Sequence, residues 1–110
     1  MVTKLSTNSA PEPGALTKEI AGVIKGQMAR FSISQTEMAE EVGVNQSQLS
    51  KMIRGLRQIT IDQLEIMCEV LDIDSGKLVA AADYAVADRG ERPVVMHYVI
   101  DGVRGEGTRF

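Results

Sequence analysis

The chain has 110 residues, of which 44% are hydrophobic, 25% charged and 4% aromatic, and its formal net charge is −3. A length of this order corresponds to one domain, and the apolar share is that of a globular protein rather than a disordered tail. No apolar run approaches the roughly 18 residues of a membrane span, and the polar start MVTKLSTNSAPEPG has no signal-peptide core, so a cytoplasmic location is expected. Cys68 is the single cysteine, which excludes an internal disulfide and a zinc site built from thiolates. His97 is the single histidine, and no P-loop, HExxH or GxGxxG pattern is present. The chain therefore reads as a protein that is not an enzyme, with no cofactor and no metal.

Residues 1–14 carry Ser, Thr, Asn, Pro11, Pro13 and Gly14 with little apolar periodicity, and they read as a flexible arm. Leu16, Ile20, Val23, Ile24, Met28 and Phe31 then follow the three-and-four spacing of one helix face, with Thr17 and Glu19 near its start. Gly22 and Gly26 weaken that helix by up to about 1 kcal/mol each. Ser34-Gln-Thr-Glu37 is a capping box, in which the serine oxygen and the glutamate side chain satisfy each other's backbone N–H groups. Met38, Ala39 and Val42 form the apolar side of the second helix, and Gly43 ends it as a left-handed cap.

Asn45 is a preferred N-cap for a third helix over about Gln46 to Arg54, with Leu49, Met52 and Ile53 apolar and Gly55 closing it. Thr60 caps a fourth helix through Ile61, Leu64, Met67, Cys68 and Leu71. Asp74 caps a fifth with Leu78, Val79, Ala81 and Ala82. The fold class is thus all-α: five short helices in one compact domain over residues 15–83.

After Tyr84 the character changes, and residues 84–110 read as a C-terminal extension. Ala87 to Pro93 is polar and turn-rich. Val94 to Ile100 is β-branched and aromatic, Asp101-Gly102 is a turn dipeptide, and Val103 to Phe110 is glycine-rich. The extension is either disordered or strand-like, and in the second case a strand or hairpin pairing across a two-fold axis would join two copies.

The acidic total conceals a local reversal. Residues 31–42 contain Glu37, Glu40 and Glu41, whereas Gly43 to Ile61 contains Lys51, Arg54 and Arg57 and no acid; Asp62 to Asp83 then has six acids against Lys77. A short basic island in an acidic chain suits a small phosphate-contacting surface. Three charges alone would equally suit a solvated helix face.

The decisive stretch is Gln35 to Gly55, QTEMAEEVGVNQSQLSKMIRG. Two short helices flank a glycine turn, with the small Ala39 four residues before Gly43. Helices crossing near 90–120° need a small residue where they touch and a turn residue tolerant of positive φ. Val44, Leu49 and Met52 anchor the second helix, while Gln46, Ser47, Gln48, Ser50, Lys51 and Arg54 face away from the core. In Ser34-Gln35, Met38-Ala39, Gly43-Val44, Gln46-Ser47, Leu49, Gly55 and the Ile61, Leu64, Leu71 pattern, residues 16–82 resemble the Cro/CI-type (XRE-like) helix-turn-helix family of phage repressors and bacterial regulators.

The resemblance implies a five-helix, lambda-repressor-like DNA-binding domain, cytoplasmic and often a homodimer on a palindromic operator. It places base-reading side chains at Gln46 and Ser47 and another base contact at Lys51. Gln35 falls where a family glutamine binds phosphate and braces the first reading residue, and Arg54 and Arg57 fall near the DNA backbone. With Asn45, Gln48 and Ser50, these make the DNA-facing set. Met28 and Ser32 stand where the family commonly has arginine and glycine.

The chemistry agrees, since a glutamine amide bonds adenine N6 and N7, a lysine reaches guanine O6 and N7, and helix N-termini favour phosphate. For any one of these residues an exposed polar helix face is an equal explanation; the set on this spacing favours DNA. Met28, Met38, Met52 and Met67 sit at core spacing, Cys68 reads as buried, and His97 reads as a packed or edge residue. Asn45-Gln-Ser47 matches a glycosylation sequon that a cytoplasmic protein would not use. The leading expectation is a transcriptional repressor of phage or prophage type that binds double-stranded DNA. The alternative is an antitoxin whose C-terminal extension binds a toxin, and a third class is an interaction module on the same fold, which an acidic third helix would have supported.

Overall fold

A computed structural model describes residues 12–93. It contains five helices: α1 (Ala15–Arg30), α2 (Gln35–Val42), α3 (Gln46–Ile53), α4 (Ile61–Leu71) and α5 (Ser75–Asp88). The all-α class holds, with no strand among the described residues. His97, the run Val94 to Ile100, the Asp101-Gly102 turn and residues 1–11 of the expected arm lie outside the described residues.

Short-range chemistry fixes where the helices start. Ser34, Asn45 and Thr60 each accept the N–H of the residue three positions on, and Glu37, Gln48 and Gln63 return a side-chain oxygen to the cap's own N–H. Asp74 caps α5 by accepting from Lys77 N–H at 2.9 Å. α1 is the exception. It begins at Ala15 rather than near Thr17, behind Gly14, which supplies no side-chain cap. Pro13 is buried and Glu12 Oε2 lies 3.2 Å from Lys18 Nζ, so the chain is already held to the domain at residue 12.

All five helices end in the same way. Ile33, Val44, Leu56, Ile73 and Glu91 donate their N–H groups to Met28, Ala39, Lys51, Cys68 and Val86, five residues back. The residue before each donor has positive φ: Ser32 (58°), Gly43 (85°), Gly55 (76°), Asp72 (57°) and Gly90 (73°). This is the Schellman arrangement, which satisfies carbonyls that a helix end would otherwise leave unpaired. Three of these positions are glycine, and two are held left-handed without it.

The core joins every helix. Ile24, Met38, Leu49, Met52 and Met67 have no exposed surface, and Ile20, Met28, Ala39, Ile53, Leu64, Cys68, Leu71, Leu78 and Ala82 complete the cluster. The four methionines and Cys68 thus lie inside, as their spacing suggests. No buried side-chain polar atom lacks a partner among the described residues.

α1 packs on α3, α4 and α5, while α2 packs on α3 and α4. α5 runs past Tyr84 to Asp88, beyond the change of character seen in the sequence, because Val86 continues the Leu78–Ala82 face and is 1% exposed. Arg89 Nη2 then lies 2.9 Å from Glu19 Oε1, fastening the end of α5 to α1.

Candidate nucleic-acid interface

The interface begins at the turn between α2 and α3. Ala39 is 3% exposed where the helices meet, and its carbonyl accepts from Gly43 N–H at 2.8 Å and Val44 N–H at 3.1 Å. A Cβ at Gly43 would meet nothing within 4 Å. It is the φ of 85°, not lack of space, that calls for glycine there.

Asn45 then launches α3. Its Oδ1 accepts from Gln48 N–H at 2.7 Å, and Gln48 Oε1 accepts from Asn45 N–H at 3.1 Å. Leu49, Met52 and Ile53 press one side of the helix into the core. Ser47, Lys51 and Arg54, spaced by four and three residues, form a stripe on the exposed side, and Gln46 is exposed beside them.

The residues singled out from sequence divide into groups. Gln46, Ser47, Lys51, Arg54 and Arg57 are exposed. Gln48 and Ser50 are half-buried, and the Asn45 and Gln48 oxygens are engaged in the capping box, which leaves the Gln48 amide N–H groups to donate. Arg54 Nε donates to Ser50 carbonyl at 3.3 Å, so its guanidinium folds along the helix. Gln35 occupies the first position of α2 and is half-buried.

Gln46 does have a partner on α2, and it is Thr36, whose Oγ1 donates to Gln46 Oε1 at 3.4 Å. Thr36 carries no signal in the sequence beyond its place inside the capping box. In the connection from α3 to α4, Lys51 and Arg57, both singled out from the sequence, line one cleft with Leu56, Thr60 and Gln63, which were not. Polar side chains brought together by a loop of irregular backbone have no periodicity to reveal them.

The electrostatics are one-sided. α3 contains no acid, so the positive end of its dipole at Asn45 is not offset from within the helix. Among the described residues Lys51, Arg54 and Arg57 form no ion pair with a carboxylate. Glu12 reaches the Lys51–Arg57 cleft but is paired with Lys18. This surface offers amide, hydroxyl, ammonium and guanidinium donors to an anionic or hydrogen-bonding partner.

Nucleophilic chemistry finds no support at Cys68. Burial first, and then the nearby Asp74 and Glu65 charges, raise its thiol pKa and keep it protonated. Among the described residues no group of three or more His, Cys, Asp or Glu side chains is arranged to hold a metal, and no helix is long and apolar enough to cross a membrane.

Comparison with known proteins places this geometry. The helix-turn-helix family pattern matches residues 24–78, from the middle of α1 to the second turn of α5. A crystal structure of the clp gene regulator ClgR from Corynebacterium glutamicum superposes with a TM-score of 0.61 at 22% identity, covering 73% of this chain and 84% of that one. A second ClgR crystal structure from C. glutamicum gives a TM-score of 0.56 at 24% identity, covering 68% of this chain and 95% of that one. At these identities the likeness is one of fold. No curated protein sequence matches the chain.

Proposed function

The chain belongs to the XRE-like helix-turn-helix family, and on that premise we propose that it is a transcriptional regulator that reads double-stranded DNA with α3 in the major groove. The observation that carries the reading is the acid-free stripe Ser47, Lys51 and Arg54, beside the exposed Gln46, on a helix whose other side is buried. Gln46 and Ser47 stand at the helix N-terminus, where base edges are read in this motif, and Lys51 follows one turn later. Arg54 and Arg57 take the sugar–phosphate backbone, as does the N-terminus of α2 at Gln35.

In the finer reading the protein is a cytoplasmic repressor of phage or prophage type, acting by occupancy of an operator. One α3 reads only a few base pairs, so two copies on a palindromic site supply the specificity that a genome requires.

Selection of bound sequences from random duplex DNA tests the reading. A two-fold symmetric motif with half-site centres about 10–10.5 base pairs apart, or a multiple of that, is the expected product. Recovery of unenriched sequence, with affinity equal for all duplexes, would remove sequence-specific regulation.

A further inference from the structure

An apolar groove lies open between the start of α1, the α3–α4 connection and the first turns of α4 and α5. Leu16, Ile20, Ile59, Ile61, Leu64 and Val79 line it around a volume of about 410 Å³. Ile61, the first residue of α4, stands in it with 83% of its surface exposed. A singly exposed isoleucine is ordinary, but one set beside further apolar side chains in an open groove makes a surface able to take an apolar partner. None of Gln46, Ser47, Lys51 and Arg54 lines it.

The chain itself arrives at the rim of the groove. Beyond α5, Arg92 Nη2 lies 2.6 Å from Asp83 Oδ2, which holds the backbone just before Pro93. Pro93 shares a cleft with Leu16, Thr17 and Val86. Leu16 and Thr17 also line the apolar groove, so Pro93, the last described residue, lies in a cleft that adjoins it. The next seven residues are Val-Val-Met-His-Tyr-Val-Ile, with no carboxylate, lysine or arginine among them. Extended at about 3.3 Å per residue, such a segment reaches about 23 Å and turns alternate side chains to opposite sides.

From these placements we infer that Val94 to Ile100 lies along the Leu16–Ile61–Val79 groove of its own chain and covers Ile61. The occupant is chosen by tethering: a segment that starts at the rim of its site has an effective concentration in the millimolar range, which a free chain does not reach. The groove offers this run an apolar partner within its own chain, besides the symmetry mate and the toxin that the sequence brings into consideration. The inference stands apart from the reading of α3.

Amide hydrogen exchange on the full chain, with a sample mixed from isotope-labelled and unlabelled chains, tests it. Amides of residues 95–100 are expected to exchange at least tenfold more slowly than in a peptide of residues 94–110. Methyl contacts to Ile59, Ile61 and Val79 are expected within one chain. Ile61→Glu removes the protection while keeping α4, because an acid in the first turn suits the helix dipole. Val95→Asp and Met96→Asp, one on each side of an extended segment, test it from the segment itself: one of the two removes the protection, which decides the matter should Ile61→Glu fail to fold. Exchange at the rate of the peptide, protection unchanged in both Val95→Asp and Met96→Asp, or contacts found only between chains would each overturn the inference, the last giving the groove to a second copy.

Discussion

Thr36 Oγ1 donates to Gln46 Oε1 at 3.4 Å and so joins the first helix of the motif to the first residue of the second. The contact leaves both Gln46 N–H groups and one oxygen lone pair available, which is the donor–acceptor pair that adenine N7 and N6 require. Gln46→Ala is expected to cost about 1–3 kcal/mol on the preferred duplex, with binding to random duplex unchanged. Thr36→Val keeps the shape of the side chain and removes the donor. Its loss on the preferred duplex should be the smaller one, and in a double-mutant cycle it should vanish when Gln46 is already alanine. Equal losses on preferred and random DNA for Gln46→Ala would show that this residue reads no base.

Lys51 and Arg57 line the same cleft but are assigned different work. Lys51 lies on α3 one turn beyond Ser47, and Lys51→Ala should relax preference at one base pair. Arg57 lies in the connection to α4, and Arg57→Ala should weaken binding to all duplexes alike. It should also reduce the slope of log affinity against log salt by about one, the share of one phosphate contact. Affinities across a salt series on preferred and random duplexes separate the two outcomes, and a sequence-dependent loss from Arg57→Ala would reverse the assignment.

Much of this arrangement was legible because it is local. Ser34 with Glu37, the cap at Asn45, Gly43 in the left-handed region and the apolar triplet Leu49, Met52, Ile53 are all set within a few residues of one another. What escaped depends on the rest of the fold. Ser32 and Asp72 are left-handed at helix ends without glycine, a conformation that the incoming Ile33 and Ile73 N–H bonds impose. The last turn of α5 exists because Val86 finds the core, although Ala87 to Pro93 reads as polar and turn-rich. Thr36 touches Gln46 only once α2 and α3 have crossed, so no spacing in the chain announces it.

The shared helix endings make a stability test. A non-glycine residue in the left-handed region costs roughly 1–2 kcal/mol, partly offset in any replacement by the greater chain entropy of glycine, about 0.5–1 kcal/mol. Ser32→Gly and Asp72→Gly should therefore each raise stability, by up to about 1 kcal/mol, or several degrees in Tm for a domain of this size. Gly43→Val is the converse. It has space for its Cβ but not the φ, and should lower stability by more than about 1 kcal/mol. Thermal unfolding of the three variants reads both signs, and an unchanged Tm in Gly43→Val would remove the turn from the determinants of the fold.

Cys68 gives the fold a pH dependence whose sign can be worked out. Burial, with Asp74 and Glu65 nearby, raises the thiol pKa in the folded chain, so the native state keeps a proton that the unfolded chain gives up near the ordinary thiol value of about 8.5. Below that value both states hold the proton and the thiol contributes no slope. Above it the unfolded state binds fewer protons, and stability falls with rising pH until the folded thiol ionises as well. Cys68→Ala removes this contribution. Its denaturation midpoints should decline less steeply than those of the parent between about pH 8 and 10, even if the lost sulfur lowers the baseline at every pH. A thiol reagent should label Cys68 in the folded parent only at the rate at which the core opens. Parallel alkaline slopes, or labelling as fast as in denaturant, would mean that the thiol is not held in the interior between α4 and its neighbours.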